Sequence, residues 1–141
     1  MRWFVLAMLA ACISPYNAST LPPSGVRLSC VDAWVEATTR PEAEGPVVVV
    51  HVGNRCDHSA RVDLGSLKVV GLDEQGATWP LSPYDPRHEI EPRRMDALAW
   101  GEEWIEFHAP VHGASLASVD VDVGSIEALG EARWIRVVVP R

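Results

Sequence analysis

The chain has 141 residues, enough for one domain with its own core, and its 48% hydrophobic and 22% charged residues are ordinary for a globular protein rather than a disordered one. Its net charge of −7 repels phosphate backbones and anionic headgroups, and no basic run longer than Arg93-Arg94 offsets it. The expectation is therefore no nucleic-acid partner.

Met1-Arg2 precedes an uninterrupted apolar run from Trp3 to Ala11. The run is far short of the ~20 residues that span a bilayer and fits the ~7–15-residue apolar core of an export signal. It ends in Leu9-Ala10-Ala11-Cys12, which resembles the lipobox of bacterial lipoproteins: a branched apolar residue, two small residues, then the cysteine that is lipidated and becomes the mature N-terminus. The resemblance implies a signal peptide over 1–11, an acyl chain on Cys12 and a lipid-anchored place in the bacterial cell envelope, with the membrane as partner. The alternative is a soluble secreted or periplasmic protein whose leader is simply removed. Residues 12–25 are rich in Pro and Ser and read as a flexible tether, of which 13–25 reach at most ~43–47 Å. The folded domain is expected over 26–141.

The remaining cysteines, Cys30 and Cys56, are free to pair in an exported compartment. VRLSCVDAWVEATT (26–39) and PVVVVHVGNRC (46–56) read as two strands around the turn-prone RPEAEG. A hairpin centred on Ala43 sets Cys30 directly opposite Cys56, within bonding range. That register groups Asp32 and Glu36 with Trp34 on one face, which leaves a bulge or a non-adjacent pairing open, as well as two free cysteines. SARVDL (59–64) is a short strand, and LKVVGLDEQGATWPL (67–81) is a hairpin turning at Asp73 to Gly76. In MDALAWGEEWIEFHAP (95–110), Ile105 and Phe107 are expected to face inward. In ASVDVDVGSI (117–126), Val119, Val121 and Val123 share one face, with Asp120 and Asp122 on the other. SIEALGEA could make one or two helical turns, and ARWIRVVVP (132–140) closes the chain as a strand.

About seven strands at this spacing predict an all-β antiparallel sandwich. The stretches VVVVHVGNRC, LKVVGLDEQGATWPL and GEEWIEFHAP resemble the immunoglobulin-like sandwich domains of small bacterial lipoproteins and exported proteins. The resemblance implies a fold and a location but no chemistry. The Cys-Trp-Cys order of antibody domains is not reproduced at its usual spacing.

Catalytic and metal motifs are weak. His108 and His112 are four apart, but Pro110 between them breaks the helix that such a pair needs. His51, His58 and His88 are scattered. DVDVGSIE places Gly124 too early for a calcium loop, and Ser115 in GASLA lacks the strand-to-helix elbow of a hydrolase. The pairs Asp73-Glu74 and Glu102-Glu103 read as solvated acids. Most of the five tryptophans after the leader are expected in core and rim packing. The expectation is a non-catalytic binding or structural module with no cofactor and no metal; a small hydrolase or metal carrier is the less favoured alternative. SPYDPRHEIEPRR (82–94) is the candidate partner-binding loop, through Tyr84, Arg87, His88 and Arg93, for an envelope protein. The competing reading is a crossover between sheets.

Overall fold

The structure is a computed structural model that describes residues 14–111, 115–127 and 130–141. The chain is all-β and antiparallel, and the described residues form ten strands rather than about seven. They are β1 (Val26–Arg27), β2 (Val31–Thr38), β3 (Val47–Asn54), β4 (Ala60–Val62), β5 (Lys68–Leu72), β6 (Thr78–Pro83), β7 (Arg93–Met95), β8 (Trp100–His108), β9 (Ser118–Asp122) and β10 (Trp134–Val138). Eight of them follow one another in the order β1-β2-β3-β8-β6-β5-β9-β10, and β4 pairs with β7 apart from these. The long sheet curls into a half-barrel.

Alternation explains the curl. Val31, Ala33 and Val35 of β2 and Val48, Val50 and Val52 of β3 point inward, as do Ile105 and Phe107 of β8 and Val119 and Val121 of β9. All are nearly or fully buried in one cluster, which a flat sheet with a single apolar face cannot enclose. The expected inward faces of Ile105, Phe107, Val119 and Val121 are therefore found. Asp120 faces outward to Arg136 (Nε–Oδ1 2.7 Å). Asp122 differs: it is buried, accepting from the N–H groups of Gly124 and Arg133 at 3.0 and 2.8 Å. It thereby caps a short 3-10 turn, Val123–Ile126, which overlaps the stretch expected to make helical turns, SIEALGEA, only at Ser125 and Ile126.

The hairpin register corrects the one expected. Val31 pairs with Asn54 and Thr38 with Val47 without a bulge, so Cys30 faces Arg55, whose N–H donates to the Cys30 carbonyl at 2.8 Å. The expected register would have set Val35 opposite His51 and turned Val48, Val50 and Val52 outward. A one-residue slip exchanges the faces, and burial of the valines decides between them. The Cys30–Cys56 disulfide forms nonetheless, just past the end of the pairing, with Cα atoms 5.3 Å apart.

The hairpin at Asp73 to Gly76 is as expected. Gly76 takes φ +84°, and Asp73 Oδ1 accepts from the N–H groups of Gln75 and Ala77. β6 touches β8 only at Ser82–His108 and Pro83–Phe107. Alternation along the β5–β6 ladder turns Pro80 to the open side, where its missing N–H costs nothing. Among the described residues, the lower part of β8 is consequently left without a strand on that edge.

Candidate functional site

The outer face of β2, β3 and β8 is a grid of cross-strand rows. The registers align Asp32–Gly53–Trp100, Trp34–His51–Glu102, Glu36–Val49–Trp104 and Thr38–Val47–Glu106. In the first row the Tyr16 ring occupies the space that a Cβ on Gly53 would need, and its hydroxyl donates to Asp32 Oδ2 at 2.7 Å. Asp32 is fully buried and also receives Arg55 Nε at 2.7 Å. Burial, reinforced by the neighbouring Asp32 carboxylate, pushes the Tyr16 phenol above its ordinary pKa.

In the second row Trp34 stacks on His51, centroids 4.8 Å apart and 3° from parallel. His51 lies between two carboxylates, Glu36 at 2.9 Å and Glu102 at 3.4 Å. The grouping of Asp32, Trp34 and Glu36 on one face is thus correct, and each acid finds its partner there. Trp104 donates its indole N–H to Glu102 Oε1 at 2.9 Å, while Arg40 lies over its ring, 4.5 Å from the centroid.

At the upper end of β8, Tyr84 stacks on His108 with centroids 4.4 Å apart, and His108 Nε2 meets Glu106 Oε1 at 2.8 Å. Burial would raise the Glu106 pKa, but His108 and the N–H groups of Glu44 and Gly45 outweigh it and hold the carboxyl below its usual value. The Tyr84 N–H donates to the Glu106 carbonyl at 2.8 Å, which sets the loop beside the sheet. Between loop and strand lies a shallow groove of about 300 Å³, lined among others by Arg40, Val47, Tyr84, Arg87, Trp104 and Glu106.

The four loop residues therefore divide. Tyr84 and Arg87 line this groove. His88 sits at the exposed turn with φ 53°, where its N–H donates to the Asp85 carbonyl. Asp85 accepts from the N–H groups of Ile90 and Glu89, which lower its pKa. Arg93 belongs to β7 and lies 3.7 Å from Glu103, lining an adjoining recess of about 290 Å³, lined also by Val52 and Val62, that shares Ile90 and Glu103 with the groove. Glu102 and Glu103 point to opposite faces, as their alternation requires.

Sequence reading missed Arg40 and Trp104 as groove residues. Neither carries a motif, and the β3–β8 register that joins them is not visible in local patterning. The tryptophans also differ from expectation: Trp100, Trp104 and Trp134 are 56%, 44% and 50% exposed. Cys12, His112 and the first two residues of GASLA lie outside the described residues.

A third cavity, of about 640 Å³, includes Cys30, His58, Arg61 and Glu127 in its lining. Glu127 accepts from the N–H groups of Ser29, Cys30 and Val31, each at 3.2 Å, and from the Ser29 hydroxyl. His58 Nε2 lies 3.7 Å from Cys30 Sγ.

Comparison of the chain with models of known families, with curated proteins and with solved structures finds no match.

Proposed function

We propose that this protein is a non-catalytic binding module of the bacterial cell envelope, anchored by lipid on Cys12 and engaging an envelope protein through the groove beside β8. The observation that carries the binding role is the convergence of Tyr84 and Arg87 with Arg40 and Trp104 around that groove. Aromatic and arginine side chains are the groups that dominate protein interfaces. The strand edge supplies the rest. Phe107 and Ala99 bond toward β3, so alternation turns the backbone N–H and C=O groups of Trp104 and Glu102 to the edge that β6 does not reach. An extended partner segment can add there as a strand, with an acidic side chain beside Arg40 and Arg87.

The lipid anchor rests on Leu9-Ala10-Ala11-Cys12. No helix among the described residues is long and apolar enough to cross a membrane. The finer fold reading, an immunoglobulin-like sandwich, is supported by the two halves of the curled sheet, β1-β2-β3-β8 and β6-β5-β9-β10, which contribute to one core.

Two measurements test the reading. Mass spectrometry of the membrane fraction should give a chain beginning at an acylated Cys12, and Cys12→Ser should move the protein to the soluble fraction. An unmodified, soluble wild-type chain would instead select the secreted or periplasmic alternative. A photo-crosslinker at Arg87 should give a discrete protein adduct in cells that Trp104→Ala reduces ~10-fold or more, as loss of an interface anchor does. The same adduct from a crosslinker at exposed Val138 would remove the groove from the proposal.

A further inference from the structure

Within the described residues, three side chains with metal-binding atoms meet at one point: the ligand atoms of Cys30, Cys56 and His58 lie within 4.8 Å of one another. We propose that they form a redox-gated site for a soft, thiolate-preferring cation such as Cu⁺ or Zn²⁺, closed while the disulfide is intact and opened by its reduction.

Three observations carry this. The first is spacing. His58 Nε2 lies 3.7 Å from Cys30 Sγ, close to the ~3.6 Å expected of sulfur and nitrogen ligands ~2.3 and ~2.0–2.1 Å from a tetrahedral ion. The second is the imidazole's partner. His58 Nδ1 is 3.1 Å from Asp57 Oδ1, so a proton held on Nδ1 leaves the Nε2 lone pair free toward the sulfur. This carboxylate–histidine arrangement is the one that metal-binding histidines use.

The third is that the ligands are held in place by more than the S–S bond. Asn54 is fully buried. Its Oδ1 accepts from the Cys56 N–H at 2.9 Å, and its Nδ2 donates to the carbonyls of His58, Met95 and Asp96 at 2.9–3.2 Å. The Cys30 N–H donates to Glu127, and the Cys30 carbonyl accepts from the Arg55 N–H. Both cysteine backbones are therefore tied down independently of the disulfide. The site opens onto the broad cavity of about 640 Å³, which gives a reductant and an ion access.

The chemistry balances with a dithiol reductant. Two electrons from the dithiol break the Cys30–Cys56 bond. The two sulfurs become thiols as the reductant closes to its own disulfide. Metal binding then releases one proton from each thiol, and His58 binds through its neutral Nε2. Soft sulfur ligands with one imidazole suit Cu⁺ or Zn²⁺ over hard cations.

The test uses the full chain carrying Cys12→Ser, so that only two thiols remain. After dithiol reduction and anaerobic removal of the reductant, Cu⁺ and Zn²⁺ are titrated separately against chromogenic chelators. One ion of either kind should bind per chain. Affinity should fall at least ~10-fold in His58→Ala and ~10-fold in Asp57→Asn, and no tight binding should remain in the oxidised protein. Circular dichroism of the reduced protein should retain the sheet signal. Unfolding on reduction, failure to bind either ion, equal affinity in His58→Ala, or equal binding by the oxidised form would each overturn the proposal.

Discussion

Glu127 does at the scale of one residue what strand pairing does elsewhere. Residues 29–31 lead into β2, whose edge away from β3 is paired with β1 only at Val26–Ala33 and Arg27–Asp32. Glu127 enters from the opposite half of the sheet and accepts from all three. Burial alone would raise its pKa, but the Ser29 hydroxyl and the three N–H groups more than reverse that, and the carboxyl titrates below its ordinary value. A folded-state pKa below the unfolded one stabilises the fold fully above the unfolded value of about 4.3 and is lost as pH falls through the folded value. Glu127→Gln should therefore cost about 1.5–3 kcal/mol near neutrality, the scale of hydrogen bonds to a charged group. The gap from wild type should shrink toward pH 3. Urea unfolding at the two pH values measures it, and an equal gap at both would mean that the charge is not what holds β2.

At the scale of elements, the β2–β3 hairpin separates two roles that one pair of cysteines could be given. Eight consecutive residue pairs, Val31–Asn54 to Thr38–Val47, hold the strands by ladder bonds and a shared valine face. The disulfide lies outside the ladder and closes a loop of sequence separation 26. Cys30→Ser with Cys56→Ser should thus lower stability by about 3.5 kcal/mol through the unfolded chain while leaving the sheet intact, within the ~5–15 kcal/mol typical of a domain. Hydrogen exchange at Val48, Val50 and Val52 checks it. Protection should persist in the double variant, and its collapse would make the disulfide part of the fold itself.

The same hairpin indicates what was legible beforehand. The strands and their turn followed from valine runs, and the cysteine pair from the two strands being neighbours rather than from the register that set them opposite. The register did not follow from centring the turn on Ala43, because the valines that must be buried override the symmetry of a loop. The alternating Val119 and Val121 and the turn at Gly76 were equally readable, since both are local. The groove was not. Arg40, Tyr84 and Trp104 are brought together by β3 pairing with β8 and by the short contact of β6 with β8, and neither leaves a periodic trace. Only half of the 82–94 reading carried through to it, by way of Tyr84 and Arg87. His58 could be seen in the sequence, but nothing there placed it beside Cys30.

At the scale of the whole molecule, Tyr16 sets how much of the segment before β1 is held against the domain. Pro/Ser-rich composition reads 12–25 as free tether, yet within the described part Tyr16 is fastened at several points. Its ring covers Gly53, its hydroxyl meets Asp32, and its N–H donates to the Leu98 carbonyl at 2.7 Å. Nearby, the Trp100 indole donates to the Ser14 carbonyl at 3.0 Å. If Cys12 carries the lipid, it lies four residue steps before the Tyr16 latch, a reach of at most ~13–14 Å rather than the ~43–47 Å of the whole segment. On that condition the latched domain would hold the Asp32–Gly53–Trp100 end of the sheet near the membrane, with Trp104 and the groove farther along β8 and away from it. Tyr16→Ala loses the hydrogen bond to a charged partner, about 1.5–3 kcal/mol, which is ~10- to 150-fold in the population of the released segment. Limited proteolysis between residues 14 and 25 should accelerate by that factor while the urea midpoint of the sheet moves little. On supported bilayers, neutron reflectometry should show the domain layer shifting outward. Unchanged cleavage and unchanged stand-off would mean that the remaining contacts hold the segment without Tyr16, and the orientation would then rest on Trp100 and Ser14 instead.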